Sequence, residues 1–114
     1  MKHTATAILA GLLLASAAPA PAATTTDISS QFGKFTPNAI TLHVGETTTL
    51  RLTSTEGTHY LKSDDLGIPM TTISPGSVQT VAITPKKAGT YVLHCMMYCG
   101  PGHQYMTITV TVLP

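Results

Sequence analysis

The 114-residue sequence has no tryptophan, only two cysteines and few charged side chains, which make up 10% of the chain. Each scarcity excludes something. With a formal charge of +1 there is no basic patch of the kind that holds nucleic acid or an anionic membrane surface. Two cysteines can form one pair at most, so this is no disulfide-framework miniprotein. No stretch carries a sustained helical period, internal repeats are missing, and the length allows one domain near the lower end of what buries its own core.

What is present is abundant threonine and valine in short alternating runs, the composition of a pleated sheet. Ile40, Leu42 and Val44 alternate with Thr41 and His43, and Gly45-Glu46 then makes a turn. Residues 47–54 follow with Leu50 and Leu52 on one face and Arg51 on the other, which predicts two half-buried strands joined by a tight turn. Residues 78–84 and 90–94 read as further strands, with Tyr91, Leu93 and Cys95 sharing a face. Met106, Ile108, Val110 and Val112 alternate with Thr107, Thr109 and Thr111, placing Met106 inward with the core. Residues 64–77 hold two prolines and two glycines and predict irregular structure. The fold class is therefore all-β, an antiparallel Greek-key sandwich or barrel.

The amino-terminal stretch stands apart. Lys2 precedes an apolar run at 8–18, and small residues follow, the pattern of an export signal over residues 1–22 with cleavage near 22/23. The run is too short to span a bilayer comfortably. Residues 23–30, rich in Ala, Thr and Ser, predict a flexible lead-in, and residues 31–114 the folded domain. Removing Lys2 from the six Lys and Arg residues leaves five against five acidic ones, a nearly neutral mature chain. Export predicts a soluble periplasmic protein, monomeric and without a membrane span once the signal is cleaved.

The chemistry is concentrated in Cys95-Met96-Met97-Tyr98-Cys99-Gly100-Pro101-Gly102-His103-Gln104-Tyr105-Met106. Two thiols, an imidazole and a thioether are soft or borderline donors, suited to copper rather than to calcium or magnesium. Gly100-Pro101-Gly102 would break a helix between the second thiol and the imidazole, so the donors belong to a loop. Thiolates four residues apart could bridge two copper ions, each needing a nitrogen. His103 supplies one, and His59, from an earlier inter-strand loop, is the natural source of the other. Met106 could add a weak thioether and a backbone carbonyl within the loop could complete the second ion.

Other readings use the same residues. In an oxidising compartment Cys95 and Cys99 form a disulfide by default. With His59 and His103 they could also hold a structural zinc, which has no use for Met106. A mononuclear blue-copper site would take His59, Cys99, His103 and Met106 and leave Cys95 without a role. His94 competes with His59, but strand alternation turns it away from Cys95, and His43 lies on a polar strand face. Met70, Met96 and Met97 could offer a soft copper-capturing surface or pack against apolar neighbours. Tyr60, Tyr98 and Tyr105 are expected to pack the rim.

Cys-x3-Cys-x3-His-x2-Met with an upstream His resembles the binuclear CuA centre of cytochrome oxidase subunit II and nitrous oxide reductase. Phe35-Thr36-Pro37-Asn38, Leu50-Arg51-Leu52-Thr53-Ser54, Leu66-Gly67-Ile68, Ser74-Pro75-Gly76 and Thr90-Tyr91 resemble the soluble domain of subunit II in the same order. The likeness runs from about Phe32 onward. It implies a cupredoxin-like fold and two copper ions bridged by Cys95 and Cys99. His59 and His103 would each ligate one ion, Met106 would be the weak axial ligand, and Met97 would lend its main-chain carbonyl. That carbonyl position usually carries Glu in the family. The family also has a tryptophan through which cytochrome c passes its electron, and two membrane helices, and neither is visible here. The resemblance implies one-electron transfer rather than an enzyme, with a periplasmic redox partner such as a c-type cytochrome. The alternative is a copper-handling protein that exchanges copper with a donor or acceptor, for instance during oxidase assembly.

Overall fold

The computed structural model describes residues 23–114 together with Thr4 and Gly11. The expected signal over 1–22 and its cleavage point otherwise lie outside the described residues. Among the described residues nine strands account for nearly all regular structure: β1 (Thr24–Gln31), β2 (Lys34–Thr36), β3 (Ala39–His43), β4 (Thr48–Ser54), β5 (His59–Ser63), β6 (Ile68–Ile73), β7 (Gln79–Ile83), β8 (Gly89–His94) and β9 (Thr107–Leu113). One turn of 3-10 helix, His103–Tyr105, interrupts the strands between β8 and β9. No helix among the described residues is long and apolar enough to cross a membrane.

The strands form a four-stranded sheet in the order β2-β1-β4-β7, a three-stranded sheet β3-β9-β8, and a β5-β6 pair. β5 packs beside β8 and β6 beside β7, so the pair links the two larger sheets. The period-2 runs point where their alternation says. On β4, Leu50 and Leu52 are fully buried and Arg51 is exposed. Leading into and along β9, Met106, Ile108, Val110 and Val112 all face the core while the threonines between them stay half-buried. Ile28, Phe35 and Leu61 complete the same interior. Each such Leu or Ile contributes about 2 kcal/mol by leaving water.

Four expectations need correction. Residues 23–30 are not a flexible lead-in, because Thr24–Gln31 pairs along its length with β4, from Thr24↔Thr48 to Ser30↔Ser54. Threonine is a good strand former, Ile28 and Ser30 turn inward, and Asp27 meets Arg51 on the outer face at 3.1 Å. β1 thus belongs to the folded sandwich. β3 and β4 are joined by the expected turn, with Gly45 at φ 79 and the Glu46 N–H donating to the His43 carbonyl at 3.2 Å, but they do not pair. The turn carries the chain from one sheet to the other. Both β1/β4 and β3/β9 run parallel, so the sandwich is mixed rather than purely antiparallel. Finally, 64–77 contains β6, in which Ile68, Thr71 and Ile73 are buried. Pro69 fits because it lies near the strand's start, opposite the irregularity in the β5 register.

Candidate metal centre

The end of β8, the loop after it and the start of β5 come together at one end of the sandwich. Cys95 follows β8 directly, and its N–H donates to the Met106 carbonyl at 3.3 Å, which closes the mouth of the loop. Met96 N–H donates to the Tyr60 carbonyl at 2.9 Å, and Tyr60 N–H points back to the Cys95 sulfur at 3.5 Å. Cys95 is therefore stitched to β5 by its own sulfur and by the N–H of the residue after it. The 3-10 turn then brings His103 round, with the Met106 N–H donating to the His103 carbonyl at 3.2 Å. Gly102 starts that turn at φ 77, a conformation that disfavours any residue with a β-carbon.

Several candidate donors lie close together at this end of the sandwich. One ring nitrogen of His59 and the sulfurs of Cys95 and Cys99 lie within 4.8 Å of one another, and all three residues are buried. Cys99 Sγ is 3.2 Å from His103 Nδ1 and 3.5 Å from Met106 Sδ. Met106 is 0% exposed and each cysteine 5%, so the sulfurs are closed off from bulk water. Cys95 and Cys99 are joined as a disulfide across a Cα separation of 6.9 Å. The same placement would serve two thiolates holding one ion or two.

His59 departs from its expected setting in a loop: it opens β5 and is fully buried. Its Nε2 lies 2.6 Å from the Glu56 carbonyl oxygen. A carbonyl only accepts, so Nε2 donates, and in the neutral ring Nδ1 keeps its lone pair. That Nδ1 is buried and has no hydrogen-bond partner. A buried acceptor without a partner is costly unless something coordinates it. Beside two buried sulfurs, an unpartnered imidazole nitrogen is the donor set of a thiophilic metal, and copper fits it.

Not every predicted residue joins the cluster. Met97 sits between the two cysteines with its side chain 52% exposed, which leaves only its backbone as a donor. Met96, at 48%, and Met70, at 49%, are likewise exposed and do not pack as expected. Tyr98 and Tyr105 are largely exposed as well, although the Tyr98 ring leans on His103 with centroids 5.7 Å apart. His43 and His94 are exposed, on the outer faces of β3 and β8. A surface hollow of about 240 Å³, lined by residues of the β5–β6 turn, such as Asp64 and Asp65, and by the end of β7 and the residues after it, such as Ile83 and Lys86, shares no residue with the cluster.

Two contributors were invisible in the sequence. Phe32, in the β1–β2 turn, sets its ring edge-on to His59 with centroids 6.4 Å apart. A β-carbon on Gly57 or on Gly100 would come within 2.5 or 2.6 Å of that ring, so the two glycines form a slot for it. Ser54 is the second, donating toward the Glu56 carbonyl at 3.0 Å and the Gly57 carbonyl at 2.5 Å.

The model of the cupredoxin-like domain matches residues 4–110. The chain belongs to the cupredoxin-like domain family. Within that family it is similar to cytochrome c oxidase subunit 2 of Thermus thermophilus, 35% identical over 78 residues, which are 68% of this chain and 57% of that protein. The cupredoxin-like chain thus spans only about half the length of its curated relative. Its fold matches the periplasmic domain of subunit II of cytochrome oxidase from Bradyrhizobium japonicum, with a TM-score of 0.65 and 17% identity, covering 78% of this chain and 83% of that one. It also matches auracyanin A, a blue copper protein from Chloroflexus aurantiacus, with a TM-score of 0.58 and 19% identity over 78% of this chain and 98% of that one. As a cupredoxin-like domain the chain has the expected fold class, with its sulfur cluster at one end of the sandwich.

Proposed function

We propose that this domain is a copper-binding electron carrier with a binuclear centre of the CuA type, working in the periplasm after removal of residues 1–22. The observation that carries the reading is His59: its Nε2 is committed to the Glu56 carbonyl, and its buried Nδ1 has no partner beside the two buried sulfurs. Cys95 and Cys99, as reduced thiolates, would bridge the ions. His59 through Nδ1 and His103 would each hold one, with the Met106 thioether and the Met97 main-chain carbonyl as the weak outer donors. The bound metal would supply reversible one-electron chemistry.

The chain's own residues perform three tasks. The Cys95 and Met96 backbone bonds to Met106 and Tyr60 fix the loop at both its mouth and its flank, so the donors hardly move as charge changes. Burial of His59, Cys95, Cys99 and Met106 excludes water. The Tyr60 N–H aimed at the Cys95 sulfur stabilises negative charge there, and such bonds tune a metal site's potential. The partner in this reading is a periplasmic redox protein such as a c-type cytochrome, met by a monomer.

A second reading, copper handling, is favoured by one observation. Met96 and Met97 are soft donors, half exposed, on the loop between the two cysteines. There they could receive copper from a donor protein or pass it to an acceptor such as an oxidase under assembly.

Copper reconstitution of the reduced mature domain separates the readings, using metal counting and electron paramagnetic resonance. Two coppers per chain and a seven-line hyperfine pattern are expected. One copper with a four-line pattern would overturn the binuclear centre and favour a mononuclear site or a handling role. Rapid loss of copper to an acceptor protein would support handling, whereas copper retained for days against a strong chelator would argue against it.

A further inference from the structure

The tautomer of His59 rests on a backbone carbonyl, and that carbonyl has to be held in place. Glu56 lies in the short connection between β4 and β5, with an exposed side chain and no sheet partner for its backbone. A carbonyl in such a loop would ordinarily turn to water. Here a buried hydroxyl intervenes. Ser54, the last residue of β4 and 8% exposed, lies 3.0 Å from the Glu56 carbonyl oxygen and 2.5 Å from that of Gly57. Serine carries one hydroxyl proton, so the two carbonyls share it. The connection is folded back over its own starting residue, the way serine closes a local turn.

We propose that Ser54 is a positioning residue for His59: its hydroxyl holds the 54–57 turn so that the Glu56 carbonyl takes the Nε2 proton, leaving Nδ1 as a bare lone pair. This rests on the reading of His59 as a copper ligand and names what prepares it. The alternatives at this turn are few. The hydroxyl of Ser54 is engaged with the Glu56 and Gly57 carbonyls, and it is the Glu56 carbonyl, 2.6 Å from Nε2, that meets the ring, so Ser54 acts through the carbonyl and not on the imidazole. Phe32 closes the turn from outside, where a β-carbon on Gly57 would meet its ring, but a phenyl group offers no hydrogen bond to fix a tautomer. Without the hydroxyl, the carbonyl is free to rotate toward solvent and nothing then favours the proton on Nε2 over Nδ1. The proton on Nδ1 is the form that cannot ligate through that atom.

The test needs no metal. The reduced, copper-free protein is examined by long-range proton–nitrogen correlation NMR in mildly alkaline buffer, where an imidazole is neutral. The parent should show His59 protonated on Nε2. Ser54→Ala should lower the ratio of the Nε2–H to the Nδ1–H form roughly fivefold, the effect of one ordinary hydrogen bond. Ser54→Thr, which keeps the hydroxyl, should restore the parent ratio. An unchanged ratio in Ser54→Ala overturns the proposal. So does an Nδ1–H ring in the parent, a result that does not depend on the variants folding. Copper counting on the same parent sample keeps the two readings apart, since a failure to bind copper would not move the tautomer ratio.

Discussion

Gly33 and Gly102 meet backbone to backbone: a β-carbon on Gly102 would lie 2.6 Å from the Gly33 Cα. The β1–β2 turn thus braces the loop that carries His103. No flexible side chain stands at the contact to move aside. Gly102→Ala must shift main chain and must also hold an alanine at φ 77. We expect a loss of about 2–3 kcal/mol in urea unfolding, the sum of left-handed strain and overpacking. Unfolding at the parent's midpoint would contradict the bracing role.

The Phe32 slot predicts a non-additive pair. Gly100→Ala would place its β-carbon 2.6 Å from the Phe32 ring, and it also carries strain at φ 105. Phe32→Ala removes the obstacle but leaves the strain. The double variant should therefore recover about 1 kcal/mol relative to the sum of the single losses, the coupling usual for residues in contact. Simple additivity in a double-mutant cycle would show that the ring does not occupy the slot in solution.

The loop and the last strand were legible in the sequence because their signals are local. Met106, Ile108, Val110 and Val112 keep strict alternation, and burial follows it residue by residue. The spacing of Cys95, Cys99, His103 and Met106 makes one loop the only way to gather them. β1 was not legible, since Thr24 to Ser30 has a single large apolar residue, Ile28, and its order comes from lying parallel to β4, a distant partner. His59 was legible as a candidate donor, but its place in β5 and its burial were not. Its burial is set by Phe32, Phe35 and the cysteines around it, and no neighbour in the sequence signals that. The role of Ser54 has no sequence signal, because a hydroxyl's bond to a carbonyl two residues on leaves no pattern to read.

Cys95→Ser tests the bridging role. A mononuclear site built from His59, Cys99, His103 and Met106 would keep its copper and its spectrum when Cys95 is replaced. A binuclear site loses a bridge and should lose the seven-line resonance. We expect that loss in Cys95→Ser and in Cys99→Ser alike. Retention of the parent spectrum in Cys95→Ser would remove Cys95 from the metal site.

Met106 is both core and donor, and the two roles separate on substitution. It is fully buried at the entry to β9, with its sulfur 3.5 Å from Cys99 Sγ. Met106→Leu preserves volume, so stability should fall by less than about 1.5 kcal/mol. A thioether donor would nevertheless be lost. The copper-loaded variant should therefore show a changed absorption spectrum and reduction potential. A changed fold stability with an unchanged spectrum would mean that Met106 is packing only.

The exposed thioethers decide between carrying electrons and delivering copper. Met96 and Met97 are 48% and 52% exposed, so replacing both by serine should change stability by no more than about 0.5 kcal/mol, as surface changes usually do. Neither side chain joins the buried donor set, and the Met97 carbonyl survives the change, so copper stoichiometry should also stay as in the parent. What remains is the path by which copper enters. If the thioethers receive copper from a donor protein, loading from that donor should slow several-fold in the double variant. Loading from free copper, which needs no docking partner, should slow less. If the domain only carries electrons, both loading rates should match the parent, and a change should appear, if anywhere, in electron exchange with a c-type cytochrome across the same exposed loop. Stopped-flow measurement of the two processes on one pair of proteins therefore assigns the surface to copper or to electrons.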